Sequence, residues 1–200
     1  MNTLKKSILI TISLLVICGI IYPLAVTGIS QVIFPNKANG SLININGKDI
    51  GSEVVGQLFT DKRFFKGRVS AVNYNTYTNK DDNYTGAGSG SQNLAPTNPE
   101  LIKRIEKDKE KLLKENPGVL GSDIPTDILT SSGSGLDPDI SPKSAEIQIP
   151  RISKETGLSQ SKLKEIVNKN TSNKVFGVFG ENKVNVLKTN IDVAKAIGII

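Results

Sequence analysis

Histidine and tryptophan are absent from this 200-residue chain, and cysteine and methionine occur once each. Without histidine there is no Ser-His-Asp triad, no Cys-His dyad and no His-ligated zinc site. A single cysteine excludes an internal disulfide and a thiolate cluster. That residue, Cys18, lies in an apolar stretch with no basic neighbour to favour its thiolate. Most familiar enzyme classes are gone before any motif is weighed.

Charge is missing altogether from residues 7–36. A helix over residues 7–34 is about 42 Å long, against a hydrocarbon core of about 30 Å. The expectation is one membrane span, with Pro23 as a kink and Gly19, Ala25 and Gly28 permitting close approach of neighbouring spans. Lys5 and Lys6 precede it, so the positive-inside rule assigns residues 1–6 to the cytoplasm and residues 35–200 to the outside. The competing reading is a cleaved signal peptide, whose h-region would be residues 8–17. The apolar run continues past that length, and Ala25-Val26-Thr27 is a poor cleavage site, so a retained anchor is the better reading.

The net charge of +6 is modest. It reads as a solvated lysine-rich surface before it reads as a signal for an anionic partner. Beyond the span, the Asn46-Gly47 pair predicts a hairpin between residues 41–45 and 48–55. Residues 73–98 are polar and glycine-rich, and read as either an ordered surface loop or a flexible excursion. Asn98-Pro99-Glu100 starts a helix whose apolar stripe is Leu101, Ile102, Ile105, Leu112 and Leu113. Ser141-Pro142 starts a second helix that ends near Gly157, with Pro150 bending it or removing a turn. Ser159 caps a third. Val184 and Val186 alternate like a strand, and residues 191–197 read as a closing helix. The fold class is a single N-terminal transmembrane helix followed by a small extracytoplasmic α/β (α+β) domain.

Local motifs that imitate active sites fail on inspection. Gly47-Lys48 lacks the first glycine and the Ser/Thr of a phosphate loop. Asp61-Lys62 begins like the phosphorylated motif of P-type ATPases, but Arg63-Phe64 follow. Asp81, Asn83, Thr85 and Gly86 imitate a calcium loop without its bidentate Glu, since Gln92 stands there. Helices at 142–156 and 160–169 resemble a helix-turn-helix, yet a membrane anchor argues against a DNA reader. Ser159 and Lys162 have Ser-Lys hydrolase spacing, although a helix cap explains the serine.

A series of short motifs goes further. Tyr22-Pro23 lies in the span and Ala38-Asn39-Gly40-Ser41-Leu42 just past it. Val55-Gly56-Gln57 with Phe59, then Phe65 with Gly67-Arg68 and Ser70, come next. Ser89-Gly90-Ser91-Gln92-Asn93-Leu94 leads to Asn98-Pro99-Glu100-Leu101. Thr130-Ser131-Ser132-Gly133-Ser134-Gly135-Leu136-Asp137-Pro138 precedes Ile140-Ser141-Pro142. Gln148, Pro150-Arg151, Gly157-Leu158 and Val184-Asn185-Val186-Leu187 complete it. In this order, behind one apolar segment, the chain resembles the KdpC family of bacterial potassium-pump subunits. Val69 departs from the family's usual Gly-Arg-Pro-Ser, which leaves the local turn open.

The resemblance implies a non-catalytic subunit of a high-affinity, ATP-driven potassium import complex in the bacterial cell membrane. Its expected partners are a channel-like subunit (KdpA), a P-type ATPase subunit (KdpB) and a small subunit (KdpF). ATP and K+ are used by the complex, and no cofactor is assigned to this chain. The family is associated with assembly and with raising the ATPase subunit's affinity for ATP, and the expected topology makes that effect indirect. Gly67, Arg68 and Ser70, then Ser89, Gly90, Ser91, Asn93 and Leu94, then Ser134, Gly135, Leu136 and Asp137 are the candidate subunit-contact loops. Their alternative role is to set turns inside the domain. A signal-anchored binding module and a Ser-Lys hydrolase stand as the other classes.

Overall fold

The computed structural model describes residues 2–78 and 86–200. Three positions of the calcium-like motif, Asp81, Asn83 and Thr85, lie outside the described residues. The chain divides into two compact units, Met1–Leu42 and Ile43–Ile200.

The first unit is dominated by one apolar helix over Thr3–Ile33, long enough to cross a membrane. It comprises α1 (Thr3–Val16), a π-helical turn (Ile17–Ile21) and α2 (Tyr22–Ile33). Proline at 23 explains the π turn. Its ring has no N–H for the Gly19 carbonyl and would press on that oxygen in a regular helix. Widening the preceding turn, so that the Tyr22 N–H reaches Ile17 O, relieves the crowding without breaking the rod. Gly19 and Gly28 have open space where a Cβ would stand. Past Phe34, a single turn α3 (Pro35–Ala38) is fixed by Asn39, whose carboxamide exchanges two hydrogen bonds of 3.1 Å with that of Gln31.

The second unit is a small α+β domain. It opens with the hairpin of β1 (Leu42–Ile45) and β2 (Lys48–Ser52), turned by Asn46 (φ 52°) and Gly47 (φ 79°) as the Asn-Gly pair requires. Helix α4 (Pro99–Glu115) starts where expected, with the Asn98 side chain accepting from the Glu100 N–H at 2.8 Å. Its apolar stripe is only partly covered, and Ile102 remains 46% exposed. A short α5 (Thr126–Leu129) follows.

The predicted second helix is two: α6 (Pro142–Glu146), capped by Ser141, and α7 (Ile149–Thr156). Pro150 sits in the first turn of α7, where its missing N–H costs nothing, so the chain restarts a helix rather than bending one. Gly157 ends it at φ 75°, and Ser159 caps α8 (Gln160–Lys169).

Strands β3 (Asp139–Ile140), β4 (Thr171–Ser172) and β5 (Lys183–Asn185) make an antiparallel sheet in the order β3-β5-β4. One expectation fails at its end. Val186 is not strand but the first residue of α9 (Val186–Ala196), five residues earlier than the predicted helix. Asn185 decides it by accepting from the Lys188 N–H at 3.0 Å.

Phe65, Ile140, Ala145, Ile149, Ile152, Leu163, Ile166, Val167, Val184, Val186 and Val193 form one apolar core. It is drawn from α6 to α9, the sheet and the segment around Phe65. Among the described residues, no buried side-chain nitrogen or oxygen lacks a hydrogen-bond partner.

Candidate functional site

Residues 134–138 run as a strap through the motif segments, and their carbonyls are taken up by four distant parts of the chain. Ser134 O accepts from Gly90 N at 2.8 Å and from Ser89 Oγ at 3.2 Å. Gly135 O accepts from Ser70 Oγ at 2.6 Å, and Leu136 O from Gly56 N at 2.7 Å. Pro138 O accepts from Val186 N at 2.9 Å, tying the strap to the start of α9. Two glycines are demanded by this crowding. A Cβ on Gly56 would stand 2.5 Å from Asp137 O, and one on Gly135 2.8 Å from Val72 Cγ2, in a backbone already at φ 68°.

Arg68 supplies the charge that holds the strap. Its guanidinium meets Asp137 Oδ2 at 2.8 Å and donates to Asp127 O at 3.2 Å. Tyr74 completes the knot by donating its hydroxyl to Arg68 O at 2.6 Å. Burial and the neighbouring Asp137 carboxylate raise that phenol to about 12, against a smaller opposing pull from Arg68. The Ser70 hydroxyl also accepts from Tyr74 N at 2.9 Å. Val69, the departure from the resemblance, pairs in a parallel bridge with Ser131.

A second knot lies where the 62–66 segment meets the helices. Arg151 is 5% exposed. It donates to Asn116 Oδ1 at 3.0 Å, Gln148 Oε1 at 2.8 Å, Phe64 O at 3.1 Å and the Lys62 carbonyl. Burial lowers its pKa from the ordinary guanidinium value, and the surrounding Glu115, Glu155 and Asp61 offset part of that. The cation is thus held mainly by amide and carbonyl dipoles. Gln148 also brackets the Lys66 backbone, and Asn190 brackets that of Phe65.

Beside the first knot opens a groove of about 720 Å³ lined by Arg68, Asp127, Asp137, Asp139, Lys143 and Lys183, among others. Most of its ionic groups are engaged within the domain. Lys183 meets Asp139 at 2.6 Å, which raises its pKa, and Asp127 accepts from Ser141 N, Ser141 Oγ and Ser144 Oγ. Among the described residues, no group of three or more His, Cys, Asp or Glu side chains is placed to hold a metal.

The Ser-Lys pair resolves as local structure. Ser159 Oγ accepts from the Lys162 backbone N–H at 3.2 Å, while the Lys162 ammonium pairs with Glu165 at 3.0 Å. The sequence-predicted loops therefore divide. Arg68, Ser70, Ser89 and Gly90 converge on the strap formed by Ser134 to Asp137, Gly67 lies against the Tyr74 hydroxyl, and Ser91, Asn93 and Leu94 line a separate small recess with Arg104 and Thr130. Asn190 and Tyr74 are not among the sequence-predicted positions. Asn190 carried one usable signal, a carboxamide among the apolar positions of a helix.

The profile described as "KdpC: K+-transporting ATPase, c chain" matches residues 4–195. A relative from Clostridioides difficile (strain 630), named potassium-transporting ATPase KdpC subunit, is 60% identical over 208 residues, covering 100% of both chains. A like-named relative from Clostridium kluyveri is 61% identical over 199 residues, spanning 98% of this chain and 95% of its own. One from Bacillus cereus (strain Q1) is 47% identical over 197 residues, with 98% and 97% covered. With a span-length apolar helix, a small α+β domain and motif segments knotted around one strap, the chain belongs to the KdpC family.

Proposed function

We propose that this chain is the single-span, non-catalytic subunit of an ATP-driven potassium importer. Its partners in this reading are a channel-like subunit (KdpA) that selects K+, a P-type ATPase subunit (KdpB) and a small subunit (KdpF). The observation that carries the proposal is the family match over residues 4–195, since the names of the similar proteins assign them to a potassium-transporting ATPase. The geometry supports a bracing role. The polar side chains that the motifs supply are largely spent on internal hydrogen bonds, as a scaffold needs and an active site does not.

Lys5 and Lys6 ahead of the helix favour a cytoplasmic N-terminus with the α+β domain outside. In that topology the domain and the cytoplasmic ATP are on opposite sides of the bilayer. Any gain in ATP affinity then arises indirectly, through the span and through contacts that bias the channel-like subunit's coupling to the ATPase. Deleting the gene from its host tests this directly. High-affinity potassium uptake in potassium-limited medium should be lost and should return when the chain is supplied again. Unchanged uptake in the deletion strain would overturn the proposal.

A further inference from the structure

Between β4 and β5 the domain carries a compact apolar knob. Val175, Phe176, Val178 and Phe179 are 60%, 89%, 72% and 67% exposed. The knob is not a loose excursion. Val175 and Phe179 exchange backbone hydrogen bonds of 2.8 and 3.0 Å, Val178 N donates to Val175 O, and Gly177 N donates to Lys174 O. Its base is closed by Asn182, whose side chain accepts from Lys174 N at 3.1 Å. Phe176 (φ 52°) and Gly177 (φ 75°) stand in left-handed conformations at the tip, where the phenyl ring lies open to solvent. A pre-shaped aromatic projection of this kind is what fills a pocket at an interface centre.

Two occupants could cover it, a bilayer or a protein, and the rim charges choose between them. A loop that inserts among anionic lipids needs free lysines beside its apolar tip. Here the bases beside the knob are matched by acids: four bases and four acids line the adjoining groove, where Lys174 meets Glu181 at 3.8 Å and Lys183 meets Asp139 at 2.6 Å. The rim is charge-balanced, which suits a polar protein edge around a desolvated centre. We propose that the Val175–Phe179 knob docks in an apolar pocket on the extracytoplasmic surface of a partner subunit of the same transporter, with Phe176 as its anchor. The inference rests on the functional reading above and adds to it the contact element.

The test uses the full chain with cysteine introduced as Val178→Cys, which leaves both phenylalanines in place. Labelling by a hydrophilic maleimide is read by mass spectrometry at residue 178, in the purified complex and in the free chain held singly in lipid nanodiscs. Docking on a partner predicts residue 178 protected in the complex and open in the nanodisc. Protection in both would assign the knob to the bilayer, and labelling in both would leave it undocked; either result overturns the proposal. Failure to recover any complex would sink the functional reading itself, and the docking with it. As a second measure, Phe176→Asp should lower retention of this subunit about tenfold or more, on the scale of an interface hot spot. Retention equal to the native chain would contradict the anchor role.

Discussion

The carboxamide of Asn190 closes a two-way clamp on the backbone of Phe65, 125 residues away. Its Oδ1 accepts from Phe65 N at 2.7 Å and its Nδ2 donates to Phe65 O at 2.9 Å. Both residues are buried. A helix side chain thus does the work of a neighbouring strand. It satisfies the main chain beside the Phe65 ring, which itself fills the core. Asn190→Ala would leave a buried N–H and a buried C=O without partners, at roughly 1–3 kcal/mol for each group. Urea unfolding of the full chain in mild detergent should show a clear fall in midpoint. An unchanged midpoint would mean that the clamp contributes nothing.

Arg151 makes a different demand, because its value lies in the number and planar spread of its donors. Lysine keeps the charge but cannot reach Asn116, Gln148, Phe64 O and Lys62 O from one ammonium. Arg151→Lys should therefore destabilise by about 2 kcal/mol or more, as expected when buried acceptors lose charged donors. Thermal unfolding followed by circular dichroism would check it. If the lysine variant melts with the native protein, the buried hub is not holding the 62–66 segment.

The strap is testable through a pair of neighbouring glycines. Gly135→Ala must push against Val72, Gly90 O and Ser70 Oγ, while Gly133 has open space around it and no positive φ. The first change should cost about 1–3 kcal/mol, the range of overpacking. The second should be close to neutral. Equal stability of the two variants would show that the strap tolerates displacement.

Tyr74 gives the strap a pH signature. The folded phenol ionises near 12 instead of near 10, because burial and Asp137 disfavour the phenolate. The stability linked to this is fully present below pH 10 and is lost as pH rises toward 12, since the unfolded state releases its proton first. At about 1.4 kcal/mol per unit, the loss is roughly 2–3 kcal/mol. Tyr74→Phe should reduce stability at neutral pH and flatten its decline between pH 10 and 12. A decline as steep as the native one would assign it to other groups.

Much of the secondary structure is legible because its signals are local. Asn98, Ser141 and Ser159 each cap the helix that they announce, and Asn46-Gly47 makes the hairpin turn. The start of α9 misleads for an instructive reason. Val184 and Val186 are both buried and alternate like a strand, but the cap at Asn185 ends the strand and begins the helix between them. The strap is legible only as a resemblance motif. Its partners at 56, 70, 90 and 186 are brought in by tertiary folding, which no periodicity encodes. Arg151 likewise becomes meaningful only when burial is known, and Asn190 announces no more than a carboxamide among apolar helix positions.

The most direct measurement is affinity purification of the full chain, in mild detergent, from its native host grown under potassium limitation. A channel-like subunit and a P-type ATPase subunit should co-purify, with ATP hydrolysis that responds to K+. A clean chain without partners, under conditions where potassium uptake is induced, would contradict it and return the domain to the class of anchored surface modules.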